Sequence, residues 1–369
     1  MSEAAYNKPG IYQLLDGGAA QNAVVAEALA FEDAFRSWAF KTRTYAADIH
    51  PSLAGRVAPL ARCKPAPNDI LILHVTTHSP AMDFALRAAS RLVVIYHNFT
   101  PPRYLRGLGG NLAVRMEAGR SGLAALRERA VLALADSAYS EQELKQAGFA
   151  RTGVLPVLAP DELQRMRPDE GVMARHGPGN RESGVATLLF VGRIVPNKCV
   201  EDVIKVFDCY RQLNPAARLF VVGSAANSRP YADWLGRLVS WLRLEGVHFT
   251  GEVSRAELAA YYRLADVYVS MSEHEGFGVP LVESMRFEIP VLACAAAAVP
   301  ETLGGSGILM RRKDFAMAAG MVHLLQTEPA LRSGVVARQN EWVRRYEPNL
   351  VLQQLRGYLQ PFLAGFQQP

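Results

Sequence analysis

Two glutamates and the residues between them could form a site for a ligand that carries phosphate and hydroxyl groups. Glu275 and Glu283 are separated by seven residues, which include Gly276, Gly278 and Pro280. Glycines let the backbone approach a ligand closely, and proline is typical of a first helical turn. The free N–H groups at a helix start favour an anion, and each carboxylate can accept hydrogen bonds from two hydroxyls. The alternative is a helix with one capping and one solvated acid.

A second candidate group is cationic. Gly192 ends an apolar run over 186–191, and Arg193 and Lys198 bracket the loop before a helix predicted over 200–213. Arginine offers planar, forked contacts and lysine a mobile point charge, so the two could hold one diphosphate from two sides. The loop is not a phosphate-binding Walker loop, because it lacks Gly-Lys-Ser/Thr. The alternative is an ordinary surface pair.

Residues 272–283 resemble the Glu-x7-Glu signature of retaining glycosyltransferases, in particular family 4, in its Ser-x-x-Glu-Gly-Phe-Gly form. Residues 192–198 are similar to the pyrophosphate clamp of that family. The resemblance covers nearly the whole chain, most strongly 188–301, although the alanine run over 295–298 departs from the family's glycine-bearing turn. It implies an α/β fold of the GT-B type, in which two Rossmann-like domains face each other across a cleft.

The resemblance also implies roles for individual residues. Charge on the leaving diphosphate would be stabilised by Arg193 and Lys198, Glu275 would contact the donor sugar, and Glu283 would hold the ribose hydroxyls. The implied catalytic residues are Glu275, Arg193, Lys198 and His97, the last positioning the sugar from the opposite domain. The implied donor-binding residues are Glu283, Phe277, Gly278, Val279, Gly192, Val253 and Gly223.

The elements that must position these residues are strands. Continuous apolar runs over 11–15, 69–75 and 91–96 alternate with helical patterns such as 22–38, which predicts parallel sheets covered on both faces. A further strand and turn are predicted over 247–253. Ligands bind beyond the carboxyl ends of such strands. Gly17, Gly18, His78 and His97 follow strands of the first half. The resemblance implies that this part of the chain faces the acceptor, so the two glycines and His78 are candidates on the acceptor side. The alternatives are a plain tight turn for the glycines and a structural role for the histidines.

The proposed domains follow from this order. We expect an N-terminal, acceptor-side domain over 1–160 plus about 345–369, a nucleotide-sugar-binding domain over 185–344, and a polar, turn-rich linker over 161–184. A helix is predicted over 341–362 and expected to pack on the first domain. A further helix is predicted over 141–147, with Ser140 as its N-cap.

Composition limits the partners. The 369 residues carry a net charge of +5, which suits an anionic ligand or an anionic membrane surface but is too mild to indicate nucleic acid. The arginine-rich region 103–129 is either a solvated helix face or a surface for anionic lipids. No apolar run reaches a membrane-spanning length, no secretory signal is expected at the start, and the four cysteines are scattered as in reduced proteins. We expect a cytoplasmic protein, either free or at the inner face of the membrane.

Taken with these patterns, the resemblance implies a retaining transferase. It would move a hexose, with mannose favoured, from a GDP- or UDP-sugar to a hydroxyl of a glycan or lipid-linked glycan, as bacterial polysaccharide and lipopolysaccharide enzymes do. It would need no metal, because the clamp cations neutralise the leaving group. The alternatives are a non-catalytic sugar-nucleotide binder and a GT-B phosphorylase or epimerase. A phosphorylase would need a lysine that carries pyridoxal phosphate, and nothing in the sequence marks one.

Overall fold

The computed structural model describes residues 8–18, 22–106, 108, 112–158, 162–177, 184–226 and 228–363. These residues form two compact units. The first comprises Met1–Phe99, Val114–Pro160 and Arg345–Pro369, and the second comprises Thr100–Ala113 and Asp161–Arg344, in each case as far as described. Each unit is built around its own parallel sheet.

The sheet of the first unit is buried on both faces, because its central strands are continuous apolar runs. All six residues of the strand Ile70–Val75 are buried, as are five of the six in the next strand. The described strands are β1 (Ile11–Leu15), β2 (Thr42–Ala46), β3 (Ala58–Pro59), β4 (Ile70–Val75), β5 (Arg91–Tyr96), β6 (Ala130–Ala135) and β7 (Thr152–Val154). They lie side by side in the order β3-β2-β1-β4-β5-β6-β7.

The helices of the first unit begin at polar caps. Asn22 caps α1, as expected for a helix over 22–38, and Ser79 caps α2. The helices are α1 (Ala23–Ser37), α2 (Pro80–Arg87), α3 (Leu112–Arg129, whose first two residues belong to the second unit) and α4 (Ala138–Gln146). Short 3-10 turns cover Pro51–Leu53, Leu60–Arg62 and, in the second unit, Pro102–Tyr104.

The predicted cap of α4 is wrong. Ser137, not Ser140, caps this helix, because its backbone is extended and its hydroxyl accepts from the Ser140 N–H at 3.1 Å. Ser140 lies inside the first turn, where its buried hydroxyl accepts a hydrogen bond from the Asn98 side chain. The helix therefore begins three residues earlier than predicted.

The second unit has the same construction. Its strands are β8 (Thr187–Val191), β9 (Arg218–Val222), β10 (Val247–Gly251), β11 (Val267–Ser270), β12 (Val291–Cys294) and β13 (Ile308–Met310). Among the described residues they form a parallel sheet in the order β10-β9-β8-β11-β12-β13. The helices are α5 (Glu162–Arg165), α6 (Glu170–His176), α7 (Val200–Leu213), α8 (Arg229–Trp241), α9 (Arg255–Leu264), α10 (Val279–Arg286), α11 (Val299–Leu303), α12 (Phe315–Thr327) and α13 (Pro329–Val343), with a 3-10 turn at Pro196–Lys198. The helix predicted over 200–213 is confirmed as α7.

The described part of the predicted linker is mostly helical. Helices α5 and α6 lie there, and both contact α9. Asp169 caps α6 by accepting from the Val172 N–H at 2.8 Å, and its own N–H donates to the Ala256 carbonyl. Residues 162–177 thus pack on the second unit.

The long C-terminal helix predicted over 341–362 is broken. Helix α13 ends at Val343, a 3-10 turn covers Arg344–Tyr346, and α14 (Pro348–Leu363) follows. Pro348 lacks the N–H that a continuous helix would need, so the chain restarts there. Val351, Leu355 and Leu359 recur on one face of α14 and are buried in the apolar cluster of the first unit. Within the described part of the chain, no helix combines the length and apolarity of a membrane span.

Candidate functional site

The second sheet has a switch point between β8 and β11. From β8 the chain passes to β9 on one side, whereas β11 lies on its other side. Because the strands are parallel, the loops that follow β8 and β11 leave the same edge of the sheet and flank one crevice. The first loop holds Gly192, Arg193 and Lys198, and the second holds Glu275 and Gly278. The chain order thus brings the two candidate groups of the sequence together.

An ion pair joins the two loops. Lys198 Nζ lies 2.5 Å from Glu275 Oε2, and only 17% of the lysine and 13% of the glutamate side chain is exposed. The backbone fixes this pair: Asn197 Nδ2 donates to the His274 carbonyl at 3.0 Å, and the Glu273 N–H donates to the Asn197 carbonyl at 2.9 Å. The lysine and the glutamate are therefore held in register, with little freedom to separate.

Arg193 presents a cation without a fixed partner. Its side chain is exposed, and none of the described residues forms an ion pair with it. Protein surrounds the guanidinium closely enough that desolvation lowers the pKa of Arg193, while the charge of Glu275 opposes that shift. A guanidinium stays protonated under these conditions. Arg193 can therefore bind an added anion beside the Lys198–Glu275 pair.

Gly223 lets the loop after β9 touch the loop after β8. It follows β9 with φ +146°, and its N–H donates to the Gly251 carbonyl at 3.0 Å. A Cβ at this position would lie 1.9 Å from the carbonyl oxygen of Gly192, far inside van der Waals contact. Gly223 is thus the position at which a side chain would push the Gly192–Arg193 turn out of place.

Helix α10 begins at the same edge. Gly278 is its N-cap in a left-handed conformation with φ +95°, and Pro280 occupies the first turn. The Thr302 hydroxyl donates to the Phe277 carbonyl at 2.6 Å. The Ala298 N–H donates to the Glu275 carbonyl at 3.2 Å, so the alanine run that departs from the family pattern supports the loop through its backbone. The helix start, with Val279 as its first residue, is rigidly placed.

Glu283 is a half-buried carboxylate with a partner that sequence reasoning missed. Tyr262 donates its hydroxyl to Glu283 Oε2 at 2.6 Å. Burial raises the pKa of Glu283, and the Tyr262 hydrogen bond opposes this rise. Tyr262 lies on α9, 21 residues earlier in the chain. A tyrosine in an otherwise apolar helix face was the available signal.

Lys313 is a second residue that the sequence did not reveal. It follows β13, and its ammonium lies 2.7 Å from both Asp202 Oδ2 and Glu273 Oε1. These partners raise the pKa of Lys313 against the opposing effect of burial. Glu273 also accepts from the Tyr104 hydroxyl at 3.1 Å. The cluster anchors the loop that carries Glu275, two residues beyond Glu273.

Val253 lies further along the same edge. It follows β10, which is two strands away from β8, and it is half-buried. The next residue, Ser254, caps α9 in a capping box with Glu257. The donor-binding role of Val253 stays a prediction.

The first unit has its own switch point, between β1 and β4. Gly17 and Gly18 follow β1, and a Cβ at Gly17 would lie 3.0 Å from the Asp48 carbonyl oxygen. His78 follows β4; its side chain is 40% exposed and lies 3.4 Å from Asp83. The acceptor-side candidates therefore share one sheet edge, as parallel strands require.

An ion pair that we did not predict lies beside these candidates. Arg115 bonds the Asp16 carboxylate and donates to Thr77 Oγ1 at 2.7 Å. It also donates to the His78 carbonyl at 3.3 Å. An acid directly before Gly17 was the sequence signal for it.

His97 uses both ring nitrogens inside the first unit. Nδ1 lies 3.2 Å from Asp136 Oδ2, and Nε2 lies 3.1 Å from His74 Nδ1. Only 4% of its side chain is exposed. The part of His97 that reaches solvent is mainly backbone. Contact of its ring with a donor sugar stays a prediction, and these internal bonds would have to change for it.

Most arginines of region 103–129 form hydrogen bonds, ion pairs or ring contacts with other residues of the protein. Arg120 bonds Glu143 and the Phe99 carbonyl, Arg127 bonds Glu128, and Arg129 bonds the Ala88 carbonyl, in addition to the Arg115 contacts above. Arg103 stacks on the Tyr104 ring. These contacts favour the interpretation of a helix face held by internal partners. Lipid binding by this region stays a prediction.

A family model matches the part of the chain that carries the Lys198–Glu275 pair. Residues 176–335 match the model described as glycosyl transferases group 1. In sequence, the chain is 30% identical over 233 residues to the D-inositol 3-phosphate glycosyltransferase of Thermomonospora curvata, covering 59% of this chain and 53% of that protein. It is 27% identical over 220 residues to a GDP-mannose-dependent phosphatidylinositol monomannoside mannosyltransferase of Mycobacterium tuberculosis, covering 56% and 55%.

The chain thus spans about half the length of the curated relatives it matches. These matches support membership of the glycosyltransferase superfamily.

Solved structures resemble the whole chain. Anabaena Alr3699/HepE, in complex with UDP and glucose, superposes with a TM-score of 0.75 at 17% identity, covering 96% of this chain and 100% of that one. Sucrose-phosphate synthase from Thermosynechococcus elongatus gives a TM-score of 0.73 at 18% identity, with 97% and 100% covered. This likeness confirms the predicted GT-B fold of two Rossmann-like domains.

Proposed function

We propose that this protein is a retaining glycosyltransferase that moves a hexose from a nucleotide diphosphate sugar to a hydroxyl acceptor. The observation that carries the proposal is the switch point of the second sheet. There, the Lys198–Glu275 pair, an Arg193 that forms no ion pair with any described residue, and the half-buried Glu283 follow neighbouring strands. Phosphate and hydroxyl groups on one ligand match this mixture of cations and carboxylates. The match of residues 176–335 to glycosyl transferases group 1 supports the same assignment.

The chemistry follows from the charges. The bond between the anomeric carbon and the diphosphate oxygen breaks, and a bond to the acceptor oxygen forms on the same face. The acceptor proton passes to the departing phosphate. Arg193 and Lys198 stabilise the charge that grows on the diphosphate, an electrostatic contribution that strengthens as the bond breaks. The N–H groups at the start of α10 contribute about 0.3–1 kcal/mol more.

Lys198 must gain a second partner for this role. In the free protein its ammonium bonds Glu275, but an ammonium has three donors, so it can bond a phosphate oxygen and keep the carboxylate. We propose that Glu275 then accepts from hydroxyls of the donor sugar, with the backbone of Phe277 and Gly278 nearby. Glu283, oriented by Tyr262, accepts from the ribose hydroxyls. Gly192, Gly223, Val253 and Val279 shape the pocket around the nucleotide.

The finer identity is also a proposal. We propose membership of family 4, a mannose-type donor carried on GDP or UDP, and a glycan or lipid-linked glycan acceptor in polysaccharide or lipopolysaccharide synthesis. The names of the mycobacterial and actinobacterial relatives support a mannose-type donor and a polyol or lipid-linked acceptor. The diphosphate is neutralised by side chains, so transfer requires no metal. Gly17, Gly18 and His78 form the acceptor side, and the protein works in the cytoplasm at the inner membrane face.

Nucleotide binding tests the donor site through Glu283→Gln. We expect the wild-type protein to show a thermal shift with one of GDP, UDP, ADP or TDP in the absence of metal. The variant should bind that nucleotide about 10–100-fold more weakly, because a hydrogen bond to a charged group contributes about 1.5–3 kcal/mol. Titration calorimetry measures the loss.

The same variant is expected to be more stable than the wild type when no nucleotide is bound, although it binds nucleotide more weakly. The folded-state pKa of Glu283 is raised, so its ionised form destabilises the fold above that pKa, and the cost disappears as the pH falls below the unfolded-state value. Without nucleotide, Glu283→Gln should therefore be more stable than wild type at pH 8 and equal to it near pH 4.

Two results would contradict these assignments. Equal nucleotide affinity in wild type and variant would remove Glu283 from the donor site. A wild-type protein that binds nucleotide but neither transfers nor hydrolyses any sugar nucleotide would instead be a non-catalytic binder. Glu257→Gln is the matched control, because Glu257 is the exposed capping-box acid of α9 and is expected to leave nucleotide affinity unchanged.

A further inference from the structure

Three side chains of the metal-ligand type converge in the first unit. They are Glu27 on α1, His74 on β4 and His97 after β5. Only 1% of the Glu27 side chain and 4% of the His97 side chain is exposed, and His74 is fully buried. Glu27 Oε2, His74 Nδ1 and His97 Nε2 face one another, with separations of 3.1, 3.6 and 3.9 Å.

The proton on His74 can be located from its neighbour. Gln13 Nε2 donates to the Ala28 carbonyl at 2.6 Å and to Thr44 Oγ1 at 3.2 Å, which orients the amide. Its Oε1 therefore faces His74 Nε2, 3.0 Å away, and must accept a hydrogen bond. Nε2 of His74 carries the proton. Nδ1 of the neutral ring is then a lone-pair donor.

The same reasoning applies to His97. Its Nδ1 lies 3.2 Å from the buried Asp136 carboxylate and donates to it. Nε2 of a neutral His97 ring then carries a lone pair that points toward His74 Nδ1, 3.1 Å away. Two lone pairs at this distance repel each other unless a positive charge lies between them.

Glu27 adds a third electron pair. Its Oε1 accepts from the Leu158 N–H at 2.8 Å, whereas its buried Oε2 has no hydrogen-bond partner among the residues that the structure describes. A buried, unpartnered carboxylate oxygen is costly, so a cation at this place would stabilise all three groups.

We propose that Glu27, His74 and His97 bind one divalent transition-metal ion of the zinc type. The circle through the three donor atoms has a radius of about 2.1 Å, which is close to the ~2.0–2.2 Å of zinc bonds to histidine and carboxylate. Imidazole and carboxylate are ligands that zinc accepts. With three protein ligands, one coordination position is left for water.

The second layer of contacts supports a metal. A ligating histidine usually donates its other ring N–H to a carboxylate or carbonyl, and a ligating carboxylate is usually hydrogen-bonded in turn. Here His97 donates to Asp136, His74 donates to the Gln13 amide oxygen, and Glu27 accepts from Leu158. The ion would join α1 to β4 and β5, and it takes no part in stabilising the leaving group.

A single proton is the competing occupant. The two imidazole rings lie within 4° of parallel, and a shared proton between nitrogens 3.1 Å apart would make His97 an imidazolium. In the other cluster of possible metal ligands, Cys199, Asp202 and Glu273, a cation from the protein itself pairs with the two acids. The ammonium of Lys313 lies 2.7 Å from both acids there.

Metal content of the full-length, tag-free protein tests the proposal. We expect about one zinc per chain by elemental analysis after gel filtration. After removal by chelator, titration with Zn²⁺ should restore one equivalent and raise Tm. His74→Gln and Glu27→Gln should each bind Zn²⁺ at least a hundredfold more weakly. Asp136→Asn, which keeps all three ligands, should weaken binding about 10–100-fold.

His78→Gln is the matched control, because His78 also lies beside a carboxylate but is exposed. It should bind Zn²⁺ as the wild type does. A stripped wild-type protein that binds no Zn²⁺, or a His74→Gln variant with unchanged affinity, would overturn the proposal. In that case a proton is the occupant, and imidazole NMR should show His97 charged. If His74→Gln or Glu27→Gln fails to fold, the zinc content of the wild-type protein and the Zn²⁺ affinity of Asp136→Asn still test the proposal.

Discussion

Replacing Lys198 with alanine is expected to lower the turnover of the proposed transfer at least a hundredfold while leaving the fold intact. A hundredfold loss corresponds to about 2.7 kcal/mol of transition-state stabilisation, a typical magnitude for one group that faces developing charge. Lys198 ends a 3-10 turn, and its ammonium lies 2.5 Å from the Glu275 carboxylate. The measurement is release of nucleoside diphosphate from the sugar nucleotide that the thermal-shift titration selects.

Lys205→Ala is the control for Lys198→Ala. Lys205 also pairs with a carboxylate, Asp202 at 2.8 Å, but its side chain is 41% exposed on α7. Exposed pairs contribute about 0–1 kcal/mol, so we expect near-normal turnover and stability. If Lys198→Ala keeps a near-normal rate, the clamp role is wrong.

The pair also predicts a double-mutant result. Glu275→Ala alone should lower turnover at least a hundredfold. The combination Lys198→Ala with Glu275→Ala should lose less than the product of the two single losses, because the side chains are in contact and serve one ligand. Full additivity would mean that the two residues act independently.

Replacing Gly223 with alanine is expected to destabilise the second unit by more than about 3 kcal/mol. The added Cβ would lie 1.9 Å from the Gly192 carbonyl oxygen, and this neighbour is backbone that cannot rotate away. The φ of +146° is also one that side-chain-bearing residues rarely adopt. Urea unfolding followed by circular dichroism measures the loss.

Gly236→Ala is the matched glycine. It lies inside α8, where a Cβ would meet no atom within 4 Å. Alanine should stabilise the helix interior there by up to about 1 kcal/mol. Equal stability of the two variants would contradict the close approach of the loops. A folded Gly223→Ala protein with a displaced Gly192–Arg193 turn would still be expected to bind nucleotide poorly.

Local patterns were sufficient for the central strands and for the place of the site. Buried parallel strands are continuous apolar runs, so β4, β5 and β8 could be predicted from hydrophobicity alone. The carboxyl ends of parallel strands meet at one edge, so residues after β8 and β11 had to be neighbours once the switch point lay between them. The Lys198–Glu275 contact spans 77 residues, yet it follows from that rule.

Helix ends were harder to predict, because they depend on competition between nearby polar groups. Ser137 and Ser140 are equally good caps by residue type, and the buried hydrogen bond from Asn98 to Ser140 favours the earlier start. The break before Pro348 could have been predicted from the proline, whose ring excludes helix continuation. The amphipathic patterns on both sides of it obscured that signal.

The sequence by itself determined which residue types stand at the ends of which strands, and through them the class of ligand. Only the tertiary structure decided which side chains those residues meet. Tyr262 on Glu283, Lys313 on Glu273 and Ala298 on Glu275 come from elements 21 to 40 residues away, and packing of α9, β13 and α11 sets their approach. His97 shows the difference most clearly. Its position after β5 follows from the strand pattern, whereas its engagement with Asp136, His74 and Glu27 requires three further elements to converge. Hydrogen bonds and ion pairs act over a few ångströms, and no local pattern encodes contacts that form only when distant segments pack together.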